Sequence, residues 1–143
     1  KLGERPAGLL DGAPLALPAL TRALKLQQKA STVGFDWDDA QQVLAKIREE
    51  TEEVAAELAL PGASASPALE EEIGDLLFVV ANLARHAKVD PEQALRGANA
   101  KFERRFRHIE RRLAEKGRST EAASLDEMEA LWVEAKQAER KPR

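Results

Sequence analysis

The chain has 143 residues, a formal net charge of −3, 33% charged residues of both signs and no cysteine. This composition excludes disulfides and thiolate metal sites, argues against a general nucleic-acid binder, and is consistent with a cytoplasmic protein. No apolar run approaches the ~18 residues that span a bilayer, so we expect no membrane partner. Helix-forming residues dominate without a sustained period-two pattern, which predicts an all-α bundle of about five helices.

Residues 1–17 carry glycines and prolines without a helical period, which predicts a flexible lead-in or linker. Residues 18–140 then form the predicted helical domain. Its first helix is expected from about Pro18 to Val33, where Gly34 is placed to end it.

The segment Phe35-Asp36-Trp37 follows as a corner between helices. We expect its two rings to anchor the loop to the core, with stacking of Trp37 on a base as the alternative. Asp36 or Asp38 is expected to cap the second helix, which continues to about Leu60.

Three further helices are predicted from capping signals, over residues 66–88, 90–117 and 124–139. The loop between the second and third helices is short and rich in glycine, proline and serine. These two helices should therefore form an antiparallel hairpin.

Two acidic clusters lie on this hairpin, and each contains a pair spaced i and i+3: Glu50 with Glu53, and Glu72 with Asp75. Such a pair shares one helix face. At about 100° per residue, both pairs fall in or beside the apolar stripe that should face the core. The two pairs also lie at nearly equal distances along the chain from the loop, so they should face each other at the same level of the hairpin. Carboxylates beside a core are costly without compensation, which indicates a cation.

Converging oxygen ligands without nearby Cys or His favour a hard cation, Mg²⁺ or Mn²⁺, over a merely structural acidic seam. A di-iron bundle would need Glu-x-x-His on facing helices. His86 and His108 have no glutamate three residues before them, and we expect both to be ordinary surface or helix-end residues.

The remaining acids of the two clusters are expected to differ in role. Glu52 and Glu70 lie far from the apolar stripe and are predicted to be surface charge. We interpret Glu49 and Glu71 as outer-shell candidates.

A basic run follows on the fourth helix, where Lys101 and Arg105 form an i,i+4 pair. Alone, this pair would indicate a solvated face. Beside a carboxylate–metal site, both residues are candidates for holding a phosphate chain. Lys46 and Lys136 could contribute similarly, and Trp132 is either a packing residue or a cover for a base.

Residues 17–137 are similar to the C-terminal domain of bacterial MazG, in the all-α NTP pyrophosphohydrolase superfamily. The superfamily motif reads here as Glu49-Glu50-x-x-Glu53 followed by Glu72-x-x-Asp75. The other matching stretches are LPALTRALKLQQKASTVGFDW, EETEEV, LEEEIGDLLFVVANLARH, ANAKFERRF and LWVEAK.

The resemblance implies Mg²⁺-dependent hydrolysis of nucleoside triphosphates between the α and β phosphates, by a homodimer that maintains the nucleotide pool. It places the metal on Glu50, Glu53, Glu72 and Asp75, with Glu49 or a metal-bound carboxylate acting on the attacking water. It also implies nucleotide contacts, mainly to phosphate, at a further set of positions: Lys46, Lys101, Arg105 and Trp132.

One departure from the family is Ala68, where many members have a lysine before the Leu-Glu-Glu-Glu stretch. Members also commonly carry an N-terminal relative of this domain, and its absence from this sequence fits a fragment. Two alternatives remain open. One is a narrower dUTP/dCTP or phosphoribosyl-ATP pyrophosphohydrolase, and the other is a non-catalytic interaction or RNA-binding module that uses residues 101–112.

Overall fold

The computed structural model describes residues 8–140, and these form five α-helices and two short 3-10 helices without a strand. The all-α prediction is therefore confirmed. No described helix combines the length and apolar character needed to cross a bilayer. The helices are α1 (Ala19–Ser31), α2 (Ala40–Leu58), α3 (Pro67–His86), α4 (Pro91–Glu115) and α5 (Leu125–Ala138), with 3-10 turns at Leu9–Gly12 and Thr120–Ala122.

The described residues fall into two compact units that divide after Ala94, near the start of α4. In the first unit α2 and α1 both pack against α3. Ser66 caps α3 by accepting a hydrogen bond from the Leu69 backbone N–H at 3.1 Å, and Pro67 occupies the first turn. Val43 of α2 and Leu69 of α3 are buried. The predicted hairpin is confirmed.

The cap of α2 differs from the sequence prediction, which named Asp36 or Asp38. Asp39 is the capping residue, and its Oδ1 accepts from the Gln42 backbone N–H at 3.0 Å. Asp36 instead pairs with residues at the end of α3, because its Oδ1 lies 2.5 Å from Arg85 Nη2 and 2.9 Å from His86 Nε2. The prediction was wrong because these partners lie about fifty residues away in sequence.

The contact of Asp36 with the end of α3 fixes the loop between α1 and α2. Burial would raise the pKa of Asp36, but the hydrogen bonds and charges of Arg85 and His86 lower it to about 2. The two aromatic rings of the loop contribute less to its anchoring than predicted, since Phe35 is 81% exposed and Trp37 is 38% exposed. An ion-pair cluster, and not a pair of buried rings, therefore ties this loop to α3.

The second unit is an α4–α5 hairpin. Ile109, Leu113 and Leu131 form its core. Gly117 follows α4 with φ +68°, a conformation that glycine adopts without the Cβ clash of other residues. Ser124 caps α5 by accepting from the Glu127 backbone N–H at 3.1 Å, as the sequence predicted.

Residues 1–17 were predicted to be a flexible lead-in or linker, and the structure describes this segment from residue 8 onward. The Leu9–Gly12 turn contacts α1, and Ala13 is 5% exposed. Residues 1–7 of this segment, and residues 141–143, lie outside the described part of the chain.

Candidate functional site

Three acidic side chains of the α2–α3 hairpin converge. Glu50, Glu53 and Glu72 each place a carboxylate oxygen within 4.8 Å of the others. Glu50 is 6% exposed, Glu72 is half-buried and Glu53 is exposed, so the group opens from the helix interface to solvent. Its members come from the two facing helices, α2 and α3. On α2, the i,i+3 spacing places Glu50 and Glu53 on one helix face.

The electrostatics of this group favour a cation. The charge of Glu50 raises the pKa of Glu53, and desolvation and the charge of Glu72 raise it further. Burial and the charges of Asp75 and Glu50 raise the pKa of Glu72. Glu50 Oε2 and Glu72 Oε2 are buried and receive no hydrogen bond within the described residues. Buried carboxylate oxygens without a donor are costly, and a hard divalent cation is the ligand that such an oxygen set fits.

Asp75 lies one turn after Glu72 and is exposed. It does not belong to the converging group of three, although its charge helps to raise the pKa of Glu72. Sequence reasoning missed Glu57, a half-buried acid whose charge also acts on Glu72. Its spacing of i+4 from Glu53 and i+7 from Glu50 was the signal that could have found it.

Lys46 supplies positive charge to the buried end of the group. Its Nζ lies 3.0 Å from Glu49 Oε1 and 3.4 Å from Glu50 Oε1. The hydrogen bond to Glu49 raises the pKa of Lys46 against desolvation, and Glu50 adds to the rise. Glu49 is exposed and binds Lys46. Among the described residues, the acids outside the group at Glu52, Glu70 and Glu71 are exposed as well.

The second unit holds a separate cluster of candidate residues. The Arg105 guanidinium lies 5.3 Å from the centre of the Trp132 ring, and its Nε and Nη2 donate to Glu139 at 3.0 and 2.9 Å. Arg104 Nε donates to the same carboxylate at 2.7 Å. Hydrogen bonds from Arg104 and then Arg105 lower the pKa of Glu139 to about 2. Glu139 and Arg104 were not predicted, because the contact joins residues over thirty positions apart.

Lys101 and Lys136 complete the predicted set, and both are exposed. Within residues 8–140 neither lysine makes an ion pair. Each ammonium group is therefore available to an anion without the loss of an internal partner.

Comparison with known proteins shows the family to which the chain belongs. The profile of the MazG nucleotide pyrophosphohydrolase domain matches residues 38–110, a span that contains both acidic pairs. The chain is 46% identical over 130 residues to a nucleoside triphosphate pyrophosphohydrolase of Escherichia coli K12, covering 91% of this chain and 49% of that protein. It is 42% identical over 120 residues to the nucleoside triphosphate pyrophosphohydrolase/pyrophosphatase MazG of Thermotoga maritima, covering 84% and 45%. The chain thus spans about half the length of these relatives, and it belongs to the MazG nucleotide pyrophosphohydrolase domain family.

Proposed function

We propose that the chain hydrolyses nucleoside triphosphates between the α and β phosphates, releasing a nucleoside monophosphate and pyrophosphate, in the cytoplasm and with Mg²⁺ as cofactor. Mn²⁺ is the expected substitute. One observation carries the proposal: the buried carboxylate oxygens of Glu50 and Glu72 lack a donor and converge with Glu53. The names of the relatives supply the class of substrate.

In this proposal Glu50, Glu53 and Glu72 hold the ion, and Asp75 completes the set from the next turn of α3. The bound ion supplies charge neutralisation of the triphosphate and a lowered pKa for water. The attacking water is oriented by Glu49 or by one of the ion-holding carboxylates. Lys46 holds the Glu49 carboxylate in place at 3.0 Å.

The nucleotide contacts of the second unit are proposed from the motif positions of Lys101, Arg105 and Trp132. Lys136 is added because it lies one turn after Trp132. Lys101 and Lys136 can bind an anion without breaking an ion pair. Arg105 is already held by Glu139 and by the Trp132 ring, which fixes the direction of its guanidinium. A fixed guanidinium loses little side-chain entropy when it binds phosphate.

The test is turnover of all eight common nucleoside triphosphates with and without Mg²⁺, with both products identified. We expect the monophosphate and pyrophosphate from several bases, and only with the metal. Lys101→Ala should raise KM about tenfold through loss of a charge-assisted contact. Lys116→Ala, which removes another exposed lysine in the turn directly after α4, is the control.

The pattern of turnover separates the alternatives. Turnover restricted to dUTP or dCTP would favour the narrower enzymes of the superfamily. Absence of pyrophosphate release from every nucleotide would overturn the proposed activity. RNA binding that falls steeply with salt and does not need Glu50 or Glu53 would instead favour the non-catalytic module.

We also propose that the chain forms a homodimer through α3. Ile73, Leu77 and Val80 are spaced i, i+4 and i+7, and they are 41%, 54% and 42% exposed. An exposed apolar row of this kind on one helix face is typical of an interface. Leu77→Glu should therefore shift sedimentation to the monomer. Leu58→Glu makes the same change at another exposed leucine and should not. A monomeric parent chain would contradict the proposal.

A further inference from the structure

The second unit contains a charged cavity whose lining includes none of the proposed nucleotide contacts. The cavity has a volume of about 210 Å³ and lies between α4 and α5. Six residues line it, and three of them are basic: Arg104, His108, Arg111, Ala135, Ala138 and Glu139. The three basic residues are spaced i, i+4 and i+7, so they share one face of α4. A cavity with this lining is a candidate anion site.

Arg104 is oriented at this cavity by Glu139. Its Nε donates to Glu139 Oε2 at 2.7 Å, and Arg105 donates to Oε1 of the same carboxylate at 3.0 and 2.9 Å. Both carboxylate oxygens therefore already have donors, and one negative charge is shared between two guanidinium groups. The two terminal nitrogens of Arg104 make no hydrogen bond within the described residues. They can bind an anion without the loss of an internal contact.

Arg111 is held in a similar way by His108, since its Nη2 lies 3.3 Å from His108 Nδ1. A guanidinium has only donors, so Nδ1 accepts and the neutral ring carries its proton on Nε2. Nε2 is buried without a hydrogen bond in the described part of the chain, because Glu134 Oε1 is 3.6 Å away. Among residues 8–140, Arg111 has no acidic partner. Its direction is fixed, and its positive charge is left for a ligand.

The charges around the cavity favour a phosphate ligand. Three arginines but only one acid line the cavity or bind its lining, which leaves a local excess of positive charge in a chain of net charge −3. Guanidinium forks match phosphate oxygens, and groups that are already held in place bind with a smaller entropic cost. Arg104 and Arg111 lie about 10 Å apart along the helix axis, which suits two linked phosphates better than one.

The remaining lining favours an inorganic ligand over a nucleotide. Ala135 and Ala138 contribute only methyl groups, and none of the described residues that line the cavity is phenylalanine or tryptophan. A nucleobase would therefore find neither of these rings to stack on.

We propose that this cavity binds inorganic pyrophosphate, at a site separate from the carboxylate group of α2 and α3. The terminal nitrogens of Arg104 bind one phosphate, and those of Arg111 bind the other. The inference goes beyond the proposed function. Pyrophosphate is also the product of the proposed reaction, and this link alone rests on that proposal.

The test is titration calorimetry of pyrophosphate and of phosphate in EDTA, at about 0.15 M salt to screen exposed charges. EDTA removes the divalent ion on which the carboxylate group depends. The parent chain should bind pyrophosphate more tightly than phosphate. Arg111→Ala should weaken pyrophosphate about tenfold through the loss of charge-assisted hydrogen bonds. Arg107→Ala removes another exposed arginine of α4, one that pairs with Glu103 at 3.2 Å, and should leave the affinity unchanged.

Ala138→Leu is a second variant, which fills the cavity and keeps every charge. It should also weaken pyrophosphate about tenfold, because bound phosphate and the larger side chain cannot share the space. Ala130→Leu makes the same change at another exposed alanine of α5 and should have no effect.

The proposal is overturned if the parent chain does not bind pyrophosphate or binds phosphate equally well, or if both cavity variants bind like the parent. It is also overturned if Arg107→Ala causes an equal loss. Loss of binding in Lys101→Ala but not in Arg111→Ala would place the ligand at the nucleotide contacts instead. None of these measurements involves turnover, so a chain that hydrolyses no nucleotide but shows the expected losses keeps the cavity assignment and loses only the proposed function.

Discussion

Replacing Glu53 with glutamine is expected to lower kcat for pyrophosphate release by about 10³-fold or more. The change removes one of the three converging carboxylates and keeps the size of the side chain. Glu53 is exposed, so packing should not suffer. The charge of Glu50 opposes ionisation of Glu53, and removing that repulsion should leave the melting temperature of the metal-free chain unchanged or higher. Steady-state kinetics and calorimetric melting check the two parts.

Glu52→Gln is the matched control, because it makes the same change at the preceding exposed residue of α2. Its activity should equal that of the parent chain. Asp75→Asn tests the proposed fourth ligand and should also abolish pyrophosphate release. Full Mg²⁺-dependent activity in the Glu53 variant would show that the three converging carboxylates do not take part in the reaction. Full activity in the Asp75 variant would exclude only Asp75 as a ligand.

Mg²⁺ is expected to raise the melting temperature, and to raise it more as the pH increases. The pKa values of Glu53 and Glu72 are higher than usual, so the metal-free fold favours their protonated forms. That contribution is present below the usual glutamate pKa and is lost as the pH rises through the raised values. The cation needs the ionised forms, so its effect grows over the same range. At a free concentration of 100 Kd the stabilisation should be about 2.7 kcal/mol.

The measurement is calorimetric melting from mildly acidic to neutral pH, in EDTA and in Mg²⁺. Asp36 contributes in the opposite sense, because its pKa of about 2 gives stability that is lost only as the pH falls below the usual aspartate range. Its titration therefore lies below the tested range. Glu53→Gln should flatten the pH dependence in EDTA and reduce the effect of Mg²⁺. Equal stabilisation by Mg²⁺ at every pH, or in both chains, would be evidence against the site.

Much of this arrangement could be predicted from local sequence. Ser66, Asp90 and Ser124 begin helices as expected, since a cap is a contact between residues two or three positions apart. The convergence of Glu50 with Glu72 followed from helix spacing and a short loop, which together fix both rotation and height. The family resemblance rested on the same motif positions.

Contacts between distant residues decided the rest. Asp36 is not a cap because Arg85 and His86 bind it, and this ion cluster holds the loop while Phe35 stays exposed. The unpaired oxygen of Gln27 exists only because Phe78, on another helix, takes the amide nitrogen. Sequence by itself therefore determined the helices and the face that each carboxylate occupies, through short-range hydrogen bonding and helical periodicity. Which oxygens are buried without a donor was decided by packing between helices, because desolvation depends on neighbours that sequence spacing does not specify.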